Sequence, residues 1–597
     1  MKKRFLLAIL ACLVSVLMLA TTACSSGSKD SGTNAPAAQT AAPAPAADAP
    51  AAPAEPAAPV AADDSIIPEK TVTLDVYSQL ANYSGEQVGW FAKVMLDKFN
   101  VKLNIIPQSE GVFATRMESG SLGDIVVFGH DGDEYTQAIQ GGMLFDWESE
   151  DLLNDYGQYI QANMQKALEK NRVVSGDGHI YGFGHNVGTS LTEHEAFFYY
   201  PDIRWDLYKE LGYPEIKTLE DYVGVLEGMQ KLAPTSDTGG KTYGVSLFPD
   251  WDGDMVMFVK ATAALYGWDE FGFGLYNPVT QEYQDCLQLD GLYLRALKFY
   301  NTLYQKGLLN PDSMTQTFND VTEDFQTGAA FFQLFNWLGS SNYNTDEHLA
   351  EGKMMYARTA DDAKNLSYGL NTNGGDRVWT IGSKTNYPEL CMAIINWFST
   401  PDGVMTYNYG PKGVTWDYNA DGKAYLTDLG LKTTSDGNTE MPAEYGGTYG
   451  DGSFKTNNTT WSADALNPEG NGETFNRIFW ESAQGRDVSP IMQDWIDWSG
   501  YPNADEYLEG NGNIAIVPGS SYSVSAKSNE LQTIWSQVAT AVKDGSWKAI
   551  YANSDAEYDA LVKEMIDSAN SYGYAECVEF QKNEAVRRKA AEDESMK

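Results

Sequence analysis

Between Thr71 and Phe128 the apolar residues change period and then change back. Thr71-Val72-Thr73-Leu74-Asp75-Val76-Tyr77 alternates as a half-buried strand does, and Val88, Phe91, Val94, Met95 and Phe99 follow at helical spacing. Val101 to Ile106 reads as strand again and stops at Pro107. Parallel strands need a crossover of this kind, so the spacing predicts a βαβ unit in a mainly parallel sheet. A short helix near Ala114 to Glu118, a turn at Ser119-Gly120 and the apolar strand Asp124-Ile125-Val126-Val127-Phe128 extend it. Later segments are helical. Thr218-Leu219-Glu220-Asp221 has the form of a capping box, and Tyr293, Leu297, Tyr300 and Tyr304 share one helix face that ends at Gly307. A further helix is expected from Pro388 through Ile394, Ile395 and Trp397 to Phe398. A chain of 597 residues exceeds one hydrophobic core, so two or more lobes are expected.

The N-terminus reads as an export signal. Lys2, Lys3 and Arg4 precede an apolar run from Phe5 to Ala20, then Thr21-Thr22-Ala23-Cys24. The run is too short for a spanning helix and has the flanks of a secretory leader. The cysteine after small residues resembles a bacterial lipobox, with Thr21 where such boxes usually carry Leu, and Cys24 is the candidate for lipidation. From Ser25 to Asp64 the chain is Ser, Gly, Ala and Pro with hardly any aliphatic bulk. Such a tract cannot bury enough surface to offset its ordering entropy, so a disordered tether is expected.

Charge excludes some partners. Loss of three cations with a leader that holds no acid takes the formal charge from −41 to −44. A surface this acidic repels nucleic acid and anionic lipid, so contact with the membrane is expected through the anchor alone. Aromatics are 12% of the chain, with 15 Trp and 35 Tyr, enough to supply flat planes for ligand stacking as well as core. Cys286, Cys391 and Cys577 remain outside the leader and anchor; an odd set without close spacing argues against a disulfide scaffold or a zinc site, and leaves one bridge open. HExxH, GxSxG, Walker A and GxGxxG motifs are absent from the sequence. A carboxylate-based glycosidase stays open, because 82 acidic residues would hide any catalytic pair.

Several phrases occur in an order that resembles the extracellular solute-binding proteins of carbohydrate ABC transporters, the maltose-binding-protein-like family 1. They are Ser119-Gly120-Ser121-Leu122-Gly123-Asp124-Ile125, Gly141-Gly142-Met143-Leu144, Asp177-Gly178-His179-Ile180-Tyr181-Gly182, Ile203-Arg204-Trp205-Asp206 with Leu211-Gly212, Leu303-Tyr304-Gln305-Lys306-Gly307-Leu308, and Gly328-Ala329-Ala330. The resemblance implies a two-lobe α/β fold of the type II periplasmic-binding-protein kind, with a hinge and an interlobe ligand cleft. Its expected layout is leader 1–23, lipidated cysteine and tether 24–64, first lobe 65–185 and 368–422, second lobe 190–365 and 423–597.

The same resemblance implies site residues. Phe128 would stack on a sugar ring and Asp131 would accept its hydroxyls, with Gly132 where the family has an Arg. Trp337 would be the main stacking tryptophan, and Trp251 with Asp252 would supply an aromatic and polar pair from the other lobe. Aromatic planes beside carboxylates suit a pyranose, which has C–H patches on its faces and hydroxyls at its rim. Trp416, Trp379 and Tyr77 are expected in structural roles. Relatives carry a calcium loop where this chain has Ser236-Asp237-Thr238-Gly239-Gly240-Lys241-Thr242; only Asp237 offers a carboxylate there, so no calcium is expected, and no cofactor. The implied function is non-enzymatic: a monomeric, lipid-anchored receptor on the extracellular face of the membrane, capturing a sugar or oligosaccharide for ABC transporter permease subunits, as in many lipoproteins of Gram-positive bacteria. A peptide or polyamine receptor, a surface lectin or adhesin, and a surface glycoside hydrolase are the alternatives.

Overall fold

The computed structural model describes residues 64–109, 111–188, 194–374, 377–456, 464–483 and 488–596. The expected leader, Cys24 and nearly all of the tether lie outside the described residues. A six-stranded sheet opens the fold, its strands ordered Gly85–Glu86, Val101–Pro107, Val72–Ser78, Ile125–Phe128, Val378–Ile381 and Gly182–Gly184. Val72–Ser78 runs parallel to both Val101–Pro107 and Ile125–Phe128, with Val72 opposite Val101 and Val76 opposite Ile125. Helix Gly89–Phe99 makes the crossover and buries Trp90, Phe91, Met95 and Phe99. The expected βαβ unit is present, but the sheet is mixed and not mainly parallel: two of its pairings are parallel and three antiparallel. Val378–Ile381 arrives from far along the chain and pairs antiparallel with Ile125–Phe128.

The later helices also form where their patterns place them. Helix Leu292–Gln305 buries Tyr293, Leu297 and Tyr300, and the chain leaves it through Gly307, whose φ of +69° suits glycine. Helix Pro388–Phe398 carries its proline in the first turn, where the missing N–H goes unmissed. The capping box at Thr218 is half made: the Asp221 carboxylate accepts the Thr218 N–H at 2.9 Å, while the helix itself begins at Asp221 and has no side-chain cap bond from Thr218.

Two large hydrophobic cores organise the fold. One holds Leu74, Trp90, Trp147, Phe183, Trp379 and Phe398 around the six-stranded sheet. The other holds Ile203, Trp205, Phe248, Tyr293, Phe332, Trp495 and Trp547 around the three-stranded sheet formed by Tyr199–Arg204, Phe332–Phe335 and Met355–Ala357. Core membership changes between Val187 and Phe197, between Ala363 and Trp379, and between Trp480 and Ile491, so the chain passes between the cores three times. At the first passage, Asp464 accepts the Ala196 N–H at 2.6 Å and Asp505 accepts the Phe197 N–H at 3.1 Å, which ties the crossing to elements on both sides. Burial pushes the Asp505 carboxyl up to about 6.

One expected boundary moves. The layout assigned everything after 423 to the second lobe, yet Ala424, Leu426, Met441, Ala465, Phe475 and Trp480 pack into the first core. The short hairpin Trp416–Tyr418 with Ala424–Leu426 carries the chain onward along the same core, so the return to the second core waits until after Trp480. Trp379, Trp416 and Tyr77 are fully buried, in keeping with structural roles. The three cysteines are free and buried, so none of them forms a bridge.

Candidate functional site

Two adjoining depressions lie among the crossings, with volumes of about 740 and 670 Å³. They share Glu195, Phe198, Asp269, Glu270 and Arg377, so they form one trough. The size is that of a pocket for a small organic ligand.

The apolar floor is built from three directions. Strand Phe332–Phe335 is buried along its length, and the chain turns immediately after it. Asn336 fixes that turn: its side-chain amide donates to the Phe197 carbonyl at 2.7 Å and its Oδ1 accepts the Trp337 N–H at 2.8 Å. Trp337 thereby faces the first depression, with its ring 5.1 Å from Phe335 and 5.8 Å from Trp251. Trp251 stacks on Phe318 at 4.9 Å and 25°. The third plane is Phe198 on the crossing itself, stacked on Tyr368 at 5.7 Å and 18°.

The acids beside Trp251 hold the scaffold. Asp250 accepts the Phe318 N–H at 2.9 Å. Asp252 accepts the Met257 N–H and the Trp547 indole N–H, both at 2.7 Å, pinning the start of helix Met257–Ala264. Burial pushes the Asp252 carboxyl up, consistent with a group enclosed by protein. Asp252 lines neither depression, and in place of its expected polar role in ligand binding it fixes the start of helix Met257–Ala264 and the Trp547 indole.

Phe128 is a second correction. Its side chain is 0% exposed, with Tyr135 edge-on at 5.4 Å and Phe113 at 6.4 Å. All four residues of its strand are buried, and Phe128 fills the space beneath helix Asp133–Gln140 instead of the trough. Asp131 does line the second depression, where it is ion-paired with Lys170 at 3.0 Å; their side chains are 14% and 9% exposed. Its capacity to accept ligand hydroxyls is therefore shared with a cation that orients it.

Of four further cations around the trough, three are paired as well. Lys260 meets Glu270 at 2.5 Å, and Lys527 meets Asp133 at 3.0 Å. Arg588, on the C-terminal helix Tyr574–Ser595, bridges Asp269 and Glu592 at 2.9 Å each. Burial pushes both of these carboxyls up in spite of the guanidinium between them. Asp254, also facing the trough, is pushed up by burial and accepts from the Trp535 indole.

Sequence reasoning missed Phe198, Lys260, Asp269, Arg377 and Arg588. The run Phe197-Phe198-Tyr199-Tyr200 is a visible aromatic signal for the first of these. Arg588 had none, being an arginine in a charged terminal helix that folding carries back to the trough.

The turn at Ser236 to Thr242 binds side chains of its own. Asp237 accepts from Lys353 at 2.8 Å and faces His348 at 2.9 Å. Although burial raises it, the hydrogen bonds from Lys353 and His348 hold its carboxyl below the usual range. Asp146, Glu148 and His179 bring ligand atoms within 4.8 Å of one another on the surface, but Glu148 is already bidentate to Arg172 at 2.6 and 2.9 Å.

No family model matches the chain. Among curated proteins it is similar to the lipoprotein LipO of Bacillus subtilis (strain 168), 26% identical over 242 residues, covering 39% of this chain and 41% of that protein's length. The alginate-binding protein AlgQ2, solved without calcium ion, aligns with 87% of this chain and 99% of its own at a TM-score of 0.57 and 17% identity. The Streptococcus pneumoniae ABC-transporter substrate-binding protein FusA, solved with kestose, aligns over 87% and 99% at 0.53 and 15%. The chain has the α/β fold of these solute-binding proteins.

Proposed function

We propose that this chain is a lipid-anchored receptor that captures a saccharide in the trough and presents it to the permease of an ABC transporter. The observation that carries the reading is the trough itself: the planes of Trp337, Trp251 and Phe198 lie with ion-paired carboxylates and amines among the crossings between two cores. Aromatic faces take the C–H patches of sugar rings, and oriented polar groups take their hydroxyls. The fold is one that AlgQ2 and FusA use for alginate and kestose, which supports the reading without extending to this chain's ligand. The role is binding without turnover, and transport energy comes from a separate ATPase.

Contacts from both cores are complete only when they approach one another, so ligand binding shifts a hinge equilibrium towards a closed form. The test is a melting screen against oligosaccharides, peptides and polyamines, followed by X-ray scattering with the best binder. Oligosaccharides are expected to raise the melting temperature, as a ligand selective for the folded state must, and to lower the radius of gyration. Stabilisation by peptides alone would replace the saccharide reading with a peptide receptor. An unchanged radius with a bound sugar would leave a static lectin, and cleavage of the sugar on long incubation would make it a hydrolase.

Anchoring rests on the lipobox-like run at Cys24 and on the likeness to LipO. Among the described residues no helix is long and apolar enough to cross a membrane. Cys24→Ser is expected to move the protein from the membrane fraction to the medium, and retention at the wild-type level would remove Cys24 as the anchor.

A further inference from the structure

Among the described residues, the other cations of the trough have carboxylate partners: Lys170 with Asp131, Lys260 with Glu270, Lys527 with Asp133, and Arg588 with Asp269 and Glu592. Arg377 has none. It lines both depressions, at the place where they join, and its Nε is buried without a hydrogen-bond partner. In a chain with 82 acidic and 41 basic residues, a guanidinium left without a carboxylate is unexpected on composition alone. Leaving a buried donor unmade destabilises the free protein.

The backbone at this residue is strained as well. Arg377 has φ +65°, in the left-handed region that disfavours residues with a Cβ. Two main-chain bonds impose it: the Arg377 N–H donates to the Gly129 carbonyl at 2.8 Å, and its own carbonyl accepts the His185 N–H at 3.1 Å. Strain and an orphaned donor at one residue, maintained by the surrounding sheet, mark a position kept for something other than stability.

We propose that Arg377 is the receptor for an oxyanion on the ligand, so that the saccharide captured in the trough is an acidic one. The inference rests on the saccharide reading above and specifies its substrate class. A planar guanidinium offers parallel N–H donors that match a carboxylate or sulfate in a two-bond fork, which a neutral hydroxyl does not. Phe198 and Trp337 line the first depression together with Arg377, so a sugar ring can stack while its acidic group meets the guanidinium. Glu195, the other charged residue shared by both depressions besides Asp269, Glu270 and Arg377, has interactions of its own.

The test is calorimetric titration of the full folded protein with three probes of matched length: a galacturonate oligomer, its fully methyl-esterified neutral form, and a sulfated neutral oligomer. Wild type is expected to bind at least one acidic probe tenfold or more tightly than the neutral ester; preference for the galacturonate assigns a carboxylate, and preference for the sulfated oligomer a sulfate. Arg377→Gln is expected to weaken that acidic probe ten- to a hundredfold and the neutral one by far less, so that the preference for the acidic probe is lost, with Arg377→Lys in between. Arg377→Gly relieves the left-handed strain and removes the orphan donor, so it is expected to melt at or above the wild-type temperature. Neutral oligomers binding as tightly as acidic ones, or acidic binding untouched by Arg377→Gln, would overturn the inference while leaving the saccharide reading intact. If Arg377→Gly and Arg377→Gln both melt well below wild type, the guanidinium is structural and the inference falls. If peptides bind and no saccharide does, both readings fall together.

Discussion

Trp337→Ala is expected to weaken saccharide binding by roughly ten- to two-hundredfold, or about 1 to 3 kcal/mol, the contribution of one buried ring contact. The residue is half-buried, so the ring has one side committed to Phe335 and Trp251 and another facing the first depression. Trp337→Phe keeps a smaller plane in the same place and is expected to retain much of the affinity. Because Trp251 lies 5.8 Å away and shares the floor, the two tryptophans are expected to be coupled: the double alanine variant should lose less than the two single losses combined. Titration calorimetry measures the affinities, and melting separates them from stability. Full affinity in a destabilised Trp337→Ala protein would assign this ring to the core alone.

Arg588→Met is expected to destabilise the folded protein by about 3 to 5 kcal/mol, the usual consequence of removing one partner from a buried ion pair. The guanidinium is 9% exposed and sits between Asp269 at 12% and Glu592 at 1%. Tyr368 donates to Asp269 and Tyr276 donates to Glu592, both at 2.9 Å, so the cluster joins the terminal helix to the crossing strand Asn365–Tyr368. Both carboxyls are already raised by burial, and without Arg588 they rise further. A carboxyl raised in the folded state holds its proton there while the unfolded chain, above about pH 4, has released it. Stability therefore falls as pH climbs from the unfolded value through the folded one, so the deficit of Arg588→Met is expected to be larger at pH 8 than at pH 5. Denaturant unfolding at pH 5 and pH 8 reads the difference. Adding Asp269→Asn and Glu592→Gln to Arg588→Met should recover part of the loss and flatten the pH dependence; a pH-independent deficit would show that the buried charges are not its cause.

The candidate site was legible in part. Trp337 and Trp251 were both placed by resemblance, and both line the trough. Phe128 and Asp252 were placed by the same resemblance and line neither depression: one is buried beneath a helix and the other is bonded to a helix start. The difference is one of side-chain direction. In a strand buried on both faces the alternation that would separate inward from outward residues is erased, so Ile125-Val126-Val127-Phe128 carries no mark of which side meets a ligand. The acid of Asp250-Trp251-Asp252 carries no such mark either, because a carboxylate accepts backbone N–H groups as readily as sugar hydroxyls.

What the sequence by itself determined is the set of local elements: the βαβ unit from Val72 to Pro107, the helix Leu292–Gln305 with its glycine exit, and the helix begun by Pro388. These depend on the period of apolar residues and on backbone preferences, which act over a few neighbours and are written along the chain. The tertiary structure alone decided that Ala424, Leu426, Met441, Ala465, Phe475 and Trp480 stay with the first core, that Arg588 returns from the terminal helix to the trough, and that Arg377 stands there with its Nε unpartnered and no ion pair among the described residues. Each of those outcomes depends on which distant side chains meet in space. A charge is paired, buried or left open by partners tens to hundreds of residues away, and no local pattern records that choice.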